Sequence, residues 1–594
     1  MRVRYLFIYF CWLICATQVS ADVHFTENGL EYSSLIPGQC GQFCVEDTTD
    51  VVMLKGYVSS YSFDITQPLH IPASVVHNGK CYRVKEIGEY ALAGLPGIET
   101  IVLDEGIEKI DAYAICNSTN LRSVFVPASV NNIHNNLFMY CPNLSELVVA
   151  PDNEVYDSRN HCNAIICDEE LVAGCNGTKI PTSVKEIEGS AFYGRNGLEG
   201  IIIPEGVISI GLCAFADCSS LRRISLPSSL EEVKQDAFIN CTLLDSVFIP
   251  KQVKKIHNNI FAGCTRLSSI IVDAENATYH SNCNGIVNRV DSLLIAACNA
   301  TFINSDIKKL DNGCFRGVNV RSVKLSQSIE ELDMNAFSDY ANIDSLSVAS
   351  ENPYYMSPEG SNVILTKDEK SLIMGCRTSI IPKGIEYIED GAFYGRYSNS
   401  LLKLPDGLKE IGEGAFAECN KINSIILPSS VSSIGCHAFA RCNRIVEIII
   451  PEGAKTIKDY AFENCEQLAN IYLPSSIETI GLSAFENCHK LSGTNIPNGI
   501  KEIKLQTFKD CKNLKHVKLP SSLEYIEYAA FQNCRSLEEV IIPEGVKIIG
   551  KRAFKDCVNL KRVTLPSTIE RIEEDAFTGC PCEESVKRFL KHRK

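Results

Sequence analysis

The sequence predicts a β-rich solenoid of about twenty 23-residue coils, with three longer inserts and an N-terminal β cap. The main observation is a phenylalanine that recurs every 23 residues, without insertion or deletion, through the C-terminal half. A repeat of roughly 20–50 residues is typical of short units that stack and bury their apolar faces on one another. The repeating positions are Phe393, Phe416, Phe439, Phe462, Phe485, Phe508, Phe531, Phe554 and Phe577, and earlier Phe192, Phe215, Phe238 and Phe261.

Each unit contains apolar positions at fixed distances from this anchor phenylalanine. In the unit that starts at Phe554, Val563-Thr564-Leu565 alternates as a short strand does, with its two outer residues pointing inward. Pro566 ends the strand because it has no amide to donate to a ladder, and the polar pair that follows favours a turn. The unit therefore predicts a strand, a turn, a second short strand and a tight return.

Three longer inserts interrupt the spacing. The intervals that begin at Phe138 and Phe261 are 54 residues long, and the interval that begins at Phe337 is 56. Each contains two short apolar runs around a charged turn, which predicts a β-hairpin. The paired runs are 162–166 with 171–175, 283–287 with 294–298, and 361–365 with 372–376.

The unit resembles the BspA-like leucine-rich repeat, whose pattern is approximately Ala-Phe-x-x-Cys-x-x-Leu-x-x-Ile-x-Leu-Pro-x-x-Val-x-x-Ile. Residues 437–459 carry almost every element, and we assign residues 86–580 to the repeat solenoid. Tyr193-Gly194-Arg195 and Tyr394-Gly395-Arg396 depart locally, because they replace the cysteine-bearing turn. The resemblance implies a bacterial surface or secreted protein that adheres to host matrix proteins, such as fibronectin or fibrinogen, or to other bacteria.

The two ends of the chain are predicted to lie outside the solenoid. Residues 1–21 combine a basic start, a short apolar run and a small-x-small end, typical of a secretory signal peptide cleaved after Ala21. Residues 22–85 lack the repeat but contain strand-like runs at 51–54 and 62–65, and we interpret them as a cap over the solenoid end. Residues 581–594 are predicted to form a basic helical cap or tail. The sequence contains no second apolar span, so no transmembrane anchor is predicted.

The net charge and the predicted signal peptide limit where the protein is located and what it binds. The formal net charge is −15, and an acidic protein does not suit nucleic acid, which favours a basic surface. With a cleavable leader, the sequence predicts a protein that is secreted or held at the surface of a bacterium. The pattern defines no oligomeric state.

The 28 cysteines mostly serve packing. Twelve of them occupy one slot, three residues after the anchor, and a free cysteine behaves there as a small buried hydrophobe. In an exported protein, pairs that face each other across a hairpin are better disulfide candidates. These pairs are Cys162 with Cys175 and Cys283 with Cys298, and the third insert has a serine in place of one partner.

No catalytic constellation is visible in the sequence. It contains no His-Glu-x-x-His, no Gly-x-Ser-x-Gly, no phosphate-binding Gly-x-x-x-x-Gly-Lys-Ser/Thr and no Cys-x-x-Cys motif. We therefore predict that the protein is not an enzyme, with no catalytic residue, metal site or cofactor.

One row of outward residues is the candidate binding site. A single outward residue lies between the two inward strand residues of each coil, and stacking would align these residues along a parallel sheet. A contiguous exposed apolar row indicates a partner site, although the β-propensity of valine, isoleucine and phenylalanine also explains it. The candidate ligand-binding residues are Val102, Phe125, Val148, Ile202, Phe248, Ile271 and Tyr472.

The predicted function is adhesin-like binding of an extracellular-matrix or other surface protein through the extended sheet face. Two alternatives stay open. The first is a glycan-capturing module of the cell envelope, which outward aromatic side chains such as Phe125 and Tyr472 would suit. The second is a purely structural envelope spacer that binds nothing specifically.

Overall fold

A computed structural model describes residues 24–34, 50–333, 335–337 and 343–591. The predicted signal peptide, residues 1–21, lies outside the described residues. The chain divides into two compact units, unit 1 (residues 1–230) and unit 2 (residues 231–594). Each is a β-solenoid, with about 21 turns in all and almost no helix, which confirms the predicted fold class.

Within its described residues, unit 1 contains strands β1 to β18 and a short 3-10 helix at Arg159–His161. The strands are β1 (His24–Glu27), β2 (Leu30–Ser34), β3 (Val51–Tyr57), β4 (Leu69–Ile71), β5 (Ser74–His77), β6 (Lys80–Ile87), β7 (Thr100–Leu103), β8 (Lys109–Ile110), β9 (Ser123–Val126), β10 (Asn132–Ile133), β11 (Glu146–Val149), β12 (Tyr156–Asp157), β13 (Ala164–Cys167), β14 (Glu170–Gly174), β15 (Glu186–Ile187), β16 (Gly200–Ile202), β17 (Ser209–Ile210) and β18 (Arg223–Ser225).

Unit 2 continues the same alternation of longer and two-residue strands and ends in helix α1 (Glu583–Lys591). Its first strands are β19 (Glu232–Val233), β20 (Ser246–Ile249), β21 (Lys255–Ile256), β22 (Ser269–Val272), β23 (Tyr279–His280), β24 (Ile286–Asn288), β25 (Leu293–Ala296), β26 (Lys309–Leu310), β27 (Ser322–Leu325), β28 (Glu331–Leu332), β29 (Ser345–Val348), β30 (Tyr355–Met356), β31 (Val363–Thr366), β32 (Ser371–Gly375), β33 (Tyr387–Ile388) and β34 (Leu401–Lys403).

The remaining strands of unit 2 follow without a further insert. They are β35 (Glu410–Ile411), β36 (Ser424–Ile426), β37 (Ser433–Ile434), β38 (Glu447–Ile449), β39 (Thr456–Ile457), β40 (Asn470–Tyr472), β41 (Thr479–Ile480), β42 (Gly493–Asn495), β43 (Glu502–Ile503), β44 (His516–Lys518), β45 (Tyr525–Ile526), β46 (Glu539–Ile541), β47 (Ile548–Ile549), β48 (Arg562–Thr564) and β49 (Arg571–Ile572).

Each regular turn contributes a longer strand to one parallel sheet and a two-residue strand to another. In unit 1 the longer strands are ordered β11-β9-β7-β4, and Val124 on β9 pairs with Ile101 on β7. In unit 2 the longer strands β34-β36-β38-β40-β42-β44 form one sheet, and β33-β35-β37-β39-β41 lie together in the other. Paired residues are 23 positions apart, so the repeat period of the sequence becomes the register of the sheets.

The three predicted hairpins are confirmed. They are the antiparallel pairs β13–β14, β24–β25 and β31–β32, each with one register shift. The second strand of each hairpin then pairs in parallel with the short strand of the next turn. The inserts also interrupt the longer-strand sheets, so that among the described strands β16, β27 and β34 each pair along one edge only.

The anchor phenylalanines form a continuous stack in the core of unit 2. From Phe393 to Phe577, successive ring centroids lie 5.0–5.6 Å apart and the ring planes agree within 13°. Offset stacking of this kind adds roughly 0.5–1.5 kcal/mol per pair to the benefit of burial. The same arrangement joins Phe192 and Phe215 in unit 1, at 4.8 Å.

The cysteine slot packs beside this stack and also closes a hydrogen bond between turns. The Sγ of Cys442 donates to the carbonyl of Phe416 at 3.1 Å, and that of Cys465 donates to the carbonyl of Phe439 at 3.2 Å. Burial raises the pKa of Cys419 to about 12, which keeps the thiol protonated. This position therefore suits cysteine, because its side chain is small and its thiol is a weak hydrogen-bond donor.

Neither predicted disulfide is present in the structure. Cys162, Cys175, Cys283 and Cys298 are all free and buried. The Sγ of Cys175 donates to the carbonyl of Asn163 at 3.2 Å, and that of Cys298 makes the equivalent contact in the second insert. The thiols of Cys162 and Cys283 contact carbonyls of their own segment, those of Ala164 and Gly285, each at 3.9 Å.

The N-terminal segment forms strands that continue into the solenoid. The predicted run at 51–54 lies in β3, which pairs with β2 and β6. The prediction of a second strand at 62–65 was wrong. Oδ1 of Asp64 accepts hydrogen bonds from the amide and the hydroxyl of Thr66, at 2.9 and 2.6 Å, so the chain turns there.

The C-terminal segment ends unit 2 with a helix. α1 lies within the predicted tail at 581–594, and Val586 is buried while Phe589 and Leu590 pack against the core. Lys587 Nζ lies 2.8 Å from Glu583 Oε1 one turn earlier. The helix covers the last coil and supplies the apolar contact that a further coil would otherwise make.

Ion pairs connect side chains on adjacent turns. Lys109 Nζ is 2.9 Å from Glu86 Oε1, and Lys509 Nζ is 2.7 Å from Glu486 Oε1, each pair being separated by 23 residues. Glu86 and Glu486 are buried, so removal of either lysine would leave a buried carboxylate unpaired. The ion pairs place opposite charges across successive turns, so a slip of the register would bring mismatched residues together.

One acidic pair makes stability depend on pH. The hydrogen bond with Glu527, followed by burial, raises the pKa of Glu502 to about 7. Because this value lies above that of the unfolded chain, the protonated carboxyl stabilises the fold at acidic pH, and this stability is lost as the pH rises through 7. Glu502→Gln should therefore raise the urea midpoint at pH 8 and leave it unchanged at pH 4.

Glu524→Gln is the matched control for this pH effect. A hydrogen bond from Lys547 lowers the pKa of Glu524, so this substitution should bring no gain at pH 8. Equal gains in both variants would contradict the assignment of the pH effect to Glu502.

Candidate binding surface

The longer strands hold their middle residues outward by simple alternation. On β9, Val124 and Val126 are buried, and Phe125 between them points away from the core. The parallel register then places outward residues of successive turns side by side. A row of neighbouring outward side chains is thus a direct consequence of the repeat.

In unit 1 the row contains three neighbouring half-buried residues and one exposed residue. Val102, Phe125 and Val148 lie on the adjacent strands β7, β9 and β11, with Phe125 paired to both neighbours. The structure brings these three predicted residues together, but each is half-buried. Ile202 on β16 is 76% exposed, and its paired neighbour is Ser225.

In unit 2 the predicted residues are each about half exposed. Phe248 and Ile271 are paired on β20 and β22, and both are about half exposed. Tyr472 on β40 is 55% exposed and is paired with Ile449 on β38, which is 59% exposed. Ile426 on the adjacent strand β36 continues the row. We call Ile426, Ile449 and Tyr472 the C-terminal ribbon.

Polar residues frame the C-terminal ribbon. Lys403 lies in the same row at one end, beside Ile426, and Lys518 lies further along the row at the other. A second outward row on the same strands is exposed and polar at Ser424, Glu447 and Asn470. An apolar centre with an aromatic side chain and a polar rim is the usual anatomy of a protein–protein interface.

The sequence-based candidate set omits two of these residues. Ile426 and Ile449 occupy the same outward slot as Tyr472, yet this part of the row also contains lysine, asparagine and threonine, and such a mixed composition does not predict an apolar patch. The order of the residues along the row could have identified them. Three consecutive apolar residues form one patch, whatever the composition of the rest of the row.

One acidic group in unit 1 has a geometry compatible with a cation. Among the described residues, Glu170, Glu186 and Glu188 can bring carboxylate oxygens within 4.8 Å of one another. Burial and then the charges of Glu188 and Glu186 raise the pKa of Glu170, as expected for crowded carboxylates. Nothing else at this place indicates a ligand, and we assign no metal site.

The described part of the chain offers no helix suited to crossing a bilayer. Its one α-helix, α1, has nine residues, far fewer than a span requires.

The fold is a leucine-rich-repeat β-solenoid, defined by its stacked turns, its parallel sheets and its core of anchor phenylalanines. The outward residues of its longer strands are exposed in part. The chain belongs to the BspA-type leucine-rich repeat family. The family model "BspA type Leucine rich repeat region (6 copies)" matches residues 77–164, 173–285, 295–357, 375–492 and 478–587. Leucine-rich repeat proteins of this kind are typically not enzymes and generally bind other proteins.

The chain is similar to several solved bacterial structures. A leucine-rich repeat protein from Bacteroides ovatus ATCC 8483 is 19% identical, with 94% of this chain and 92% of that chain covered and a TM-score of 0.29. A leucine-rich cell surface protein from Faecalibacterium prausnitzii A2-165 is 18% identical, with 95% of this chain and 93% of that chain covered and a TM-score of 0.27. The T. pallidum leucine-rich repeat protein is 28% identical, with 30% of this chain and 90% of that chain covered and a TM-score of 0.28. No curated protein matches the chain.

Proposed function

We propose that the protein is exported and, at the bacterial surface or in secreted form, binds an extracellular-matrix or other surface protein through its longer-strand sheet face. The observation that carries this proposal is the C-terminal ribbon, in which three exposed apolar side chains adjoin on paired strands within a polar frame. Contiguous exposed apolar patches of this type mark interaction sites more often than isolated residues do. The leader-like residues 1–21 support export.

Tyr472 is the expected centre of the contact. Its ring supplies a large apolar area at low conformational cost, and its hydroxyl can bond to a partner. Ile426 and Ile449 extend the apolar area along the sheet. The lysines at the ends of the row, Lys403 and Lys518, would favour a partner with acidic groups around its own apolar contact.

A solid-phase assay tests the proposal. The purified protein is applied to immobilised fibronectin, fibrinogen and a glycan panel, at low and moderate salt. Saturable binding to a matrix protein is the expected result. Binding to glycans alone would assign the protein to the glycan-capturing class instead. Absence of binding on every surface would favour a structural spacer.

A further inference from the structure

An open strand edge lies in unit 2, where the second insert interrupts the longer-strand sheet. β27 pairs with β29 along one edge only. On that edge the amide of Ala349 donates to the carbonyl of Leu325 at 2.9 Å. Because successive residues of a strand direct their backbone groups to opposite edges, those of Ser322 and Lys324 face the other edge. In the described part of the chain, that edge has no paired strand.

A cavity of about 540 Å³ lies along this open edge. Val323 of β27 forms one wall, and the other lining residues include Thr301, Phe302, Ile303 and Ser305 of the insert and Ala349 after β29. Its inner end reaches Phe315, which is 2% exposed and belongs to the core. The volume falls within the range of roughly 300–1,000 Å³ that ligand pockets occupy. Among the described lining residues, Lys324 is the one charged side chain.

The cavity has a cause in the sequence. The step from Phe315 to Phe337 is 22 residues, one fewer than in a regular turn. In the turns that follow the first and third inserts, Leu198 and Tyr397 are buried beside the anchor. In the shortened turn the nearest counterpart is Val320, which is half-buried and lines the cavity. The missing residue thus leaves space beside the open edge.

We propose that this slot binds an extended peptide segment of a partner protein, which adds as a strand to the open edge of β27. Ser322 and Lys324 would supply the backbone hydrogen bonds, as in other cases of strand addition. The apolar inner end, at Phe315 and Val320, would take an apolar side chain. Lys324 would favour an acidic side chain nearby. The slot is a sheet edge, not the sheet face, so the inference does not depend on the proposed function.

A displayed library of random short peptides, selected on the purified protein, provides the probe. We expect the selected peptides to share an apolar side chain and an acidic residue in an extended pattern. Ser322→Pro should weaken their binding about tenfold, because proline removes the amide at the open edge and is tolerated at the first residue of a strand. Lys324→Glu should weaken binding most at low salt. Lys421→Glu changes an exposed lysine in a turn outside the strands; it is the matched control and should leave binding unchanged.

A second variant and a second readout protect the test against a folding defect. Val320→Phe should fill the inner end of the cavity and also weaken binding, and a bound peptide should slow hydrogen exchange at the amides of Ser322 and Lys324. The proposal is overturned if no peptide is enriched, or if the selected peptides bind Ser322→Pro and Val320→Phe as well as the unchanged protein. Self-association of the protein that Ser322→Pro abolishes would also overturn it, since the occupant would then be a second copy.

Discussion

Phe462→Ala should destabilise unit 2 by about 3–5 kcal/mol. The ring is fully buried and lies between Phe439 and Phe485, with centroid distances of 5.4 and 5.6 Å. Its removal loses the transfer free energy of the ring, leaves a cavity and breaks two stacked contacts at once. The measurement is urea denaturation, combined with hydrogen exchange across the turns on either side.

The position of the loss is as informative as its size. In a stacked array each turn is stabilised by its neighbours, so protection should fall first in the turns that contain Phe439 and Phe485. Phe462→Leu is the control, because it retains most of the side-chain volume and should cost much less. An unchanged urea midpoint for Phe462→Ala would show that the phenylalanine stack does not hold the turns together.

Arg195→Met should destabilise unit 1 by about 2–4 kcal/mol. Arg195 is 1% exposed and replaces the cysteine of a regular turn at the end of the first insert. Its Nε donates to the carbonyl of Gly174 at 2.9 Å, and its Nη1 donates to those of Phe138 and Tyr193 at 2.8 and 3.0 Å. Methionine fills similar space but has no donor, so these carbonyls would be left unsatisfied.

Burial explains why the size of this effect is limited. Desolvation lowers the pKa of Arg195, which shows that the environment opposes its charge, and removing the charge recovers part of the cost. Arg195→Lys is the control, since a lysine presents a single charged centre and cannot reach several carbonyls in one plane. It should be nearly as destabilised as Arg195→Met. Wild-type stability in both variants would contradict the proposed role of the guanidinium.

The regular turns could be predicted from sequence because every slot is repeated. A buried position that recurs after 23 residues is identified many times over, and the strand–proline–turn pattern then defines where each longer strand ends. The hairpins of the inserts followed from the same reasoning, since their apolar runs flank polar turns. Residues 62–65 have no such repetition, and two local hydrogen bonds from Thr66 to Asp64 accompany a turn there in spite of the strand-like composition.

The special positions could not be predicted in the same way. Arg195 is a surface residue by composition, and its burial depends on carbonyls supplied by Gly174 and Phe138, far apart in the chain. The hairpin cysteines Cys162 and Cys175 face the same strand pair, but each thiol finds a backbone partner. For the candidate site, alternation predicted which residues point outward. How far Phe125 or Ile449 is exposed depends on the neighbouring side chains.

The central claim is that unit 2 binds its partner through the C-terminal ribbon. The most direct measurement compares the affinity of three forms of the purified protein for the matrix protein identified in the solid-phase assay. These forms are the unchanged protein, Ile449→Ser/Tyr472→Ser, and the control Val290→Ser/Val558→Ser, which removes exposed apolar side chains outside the sheet face. We expect the ribbon variant to bind at least about tenfold more weakly and the control to bind normally. Equal affinity of all three forms would contradict the claim.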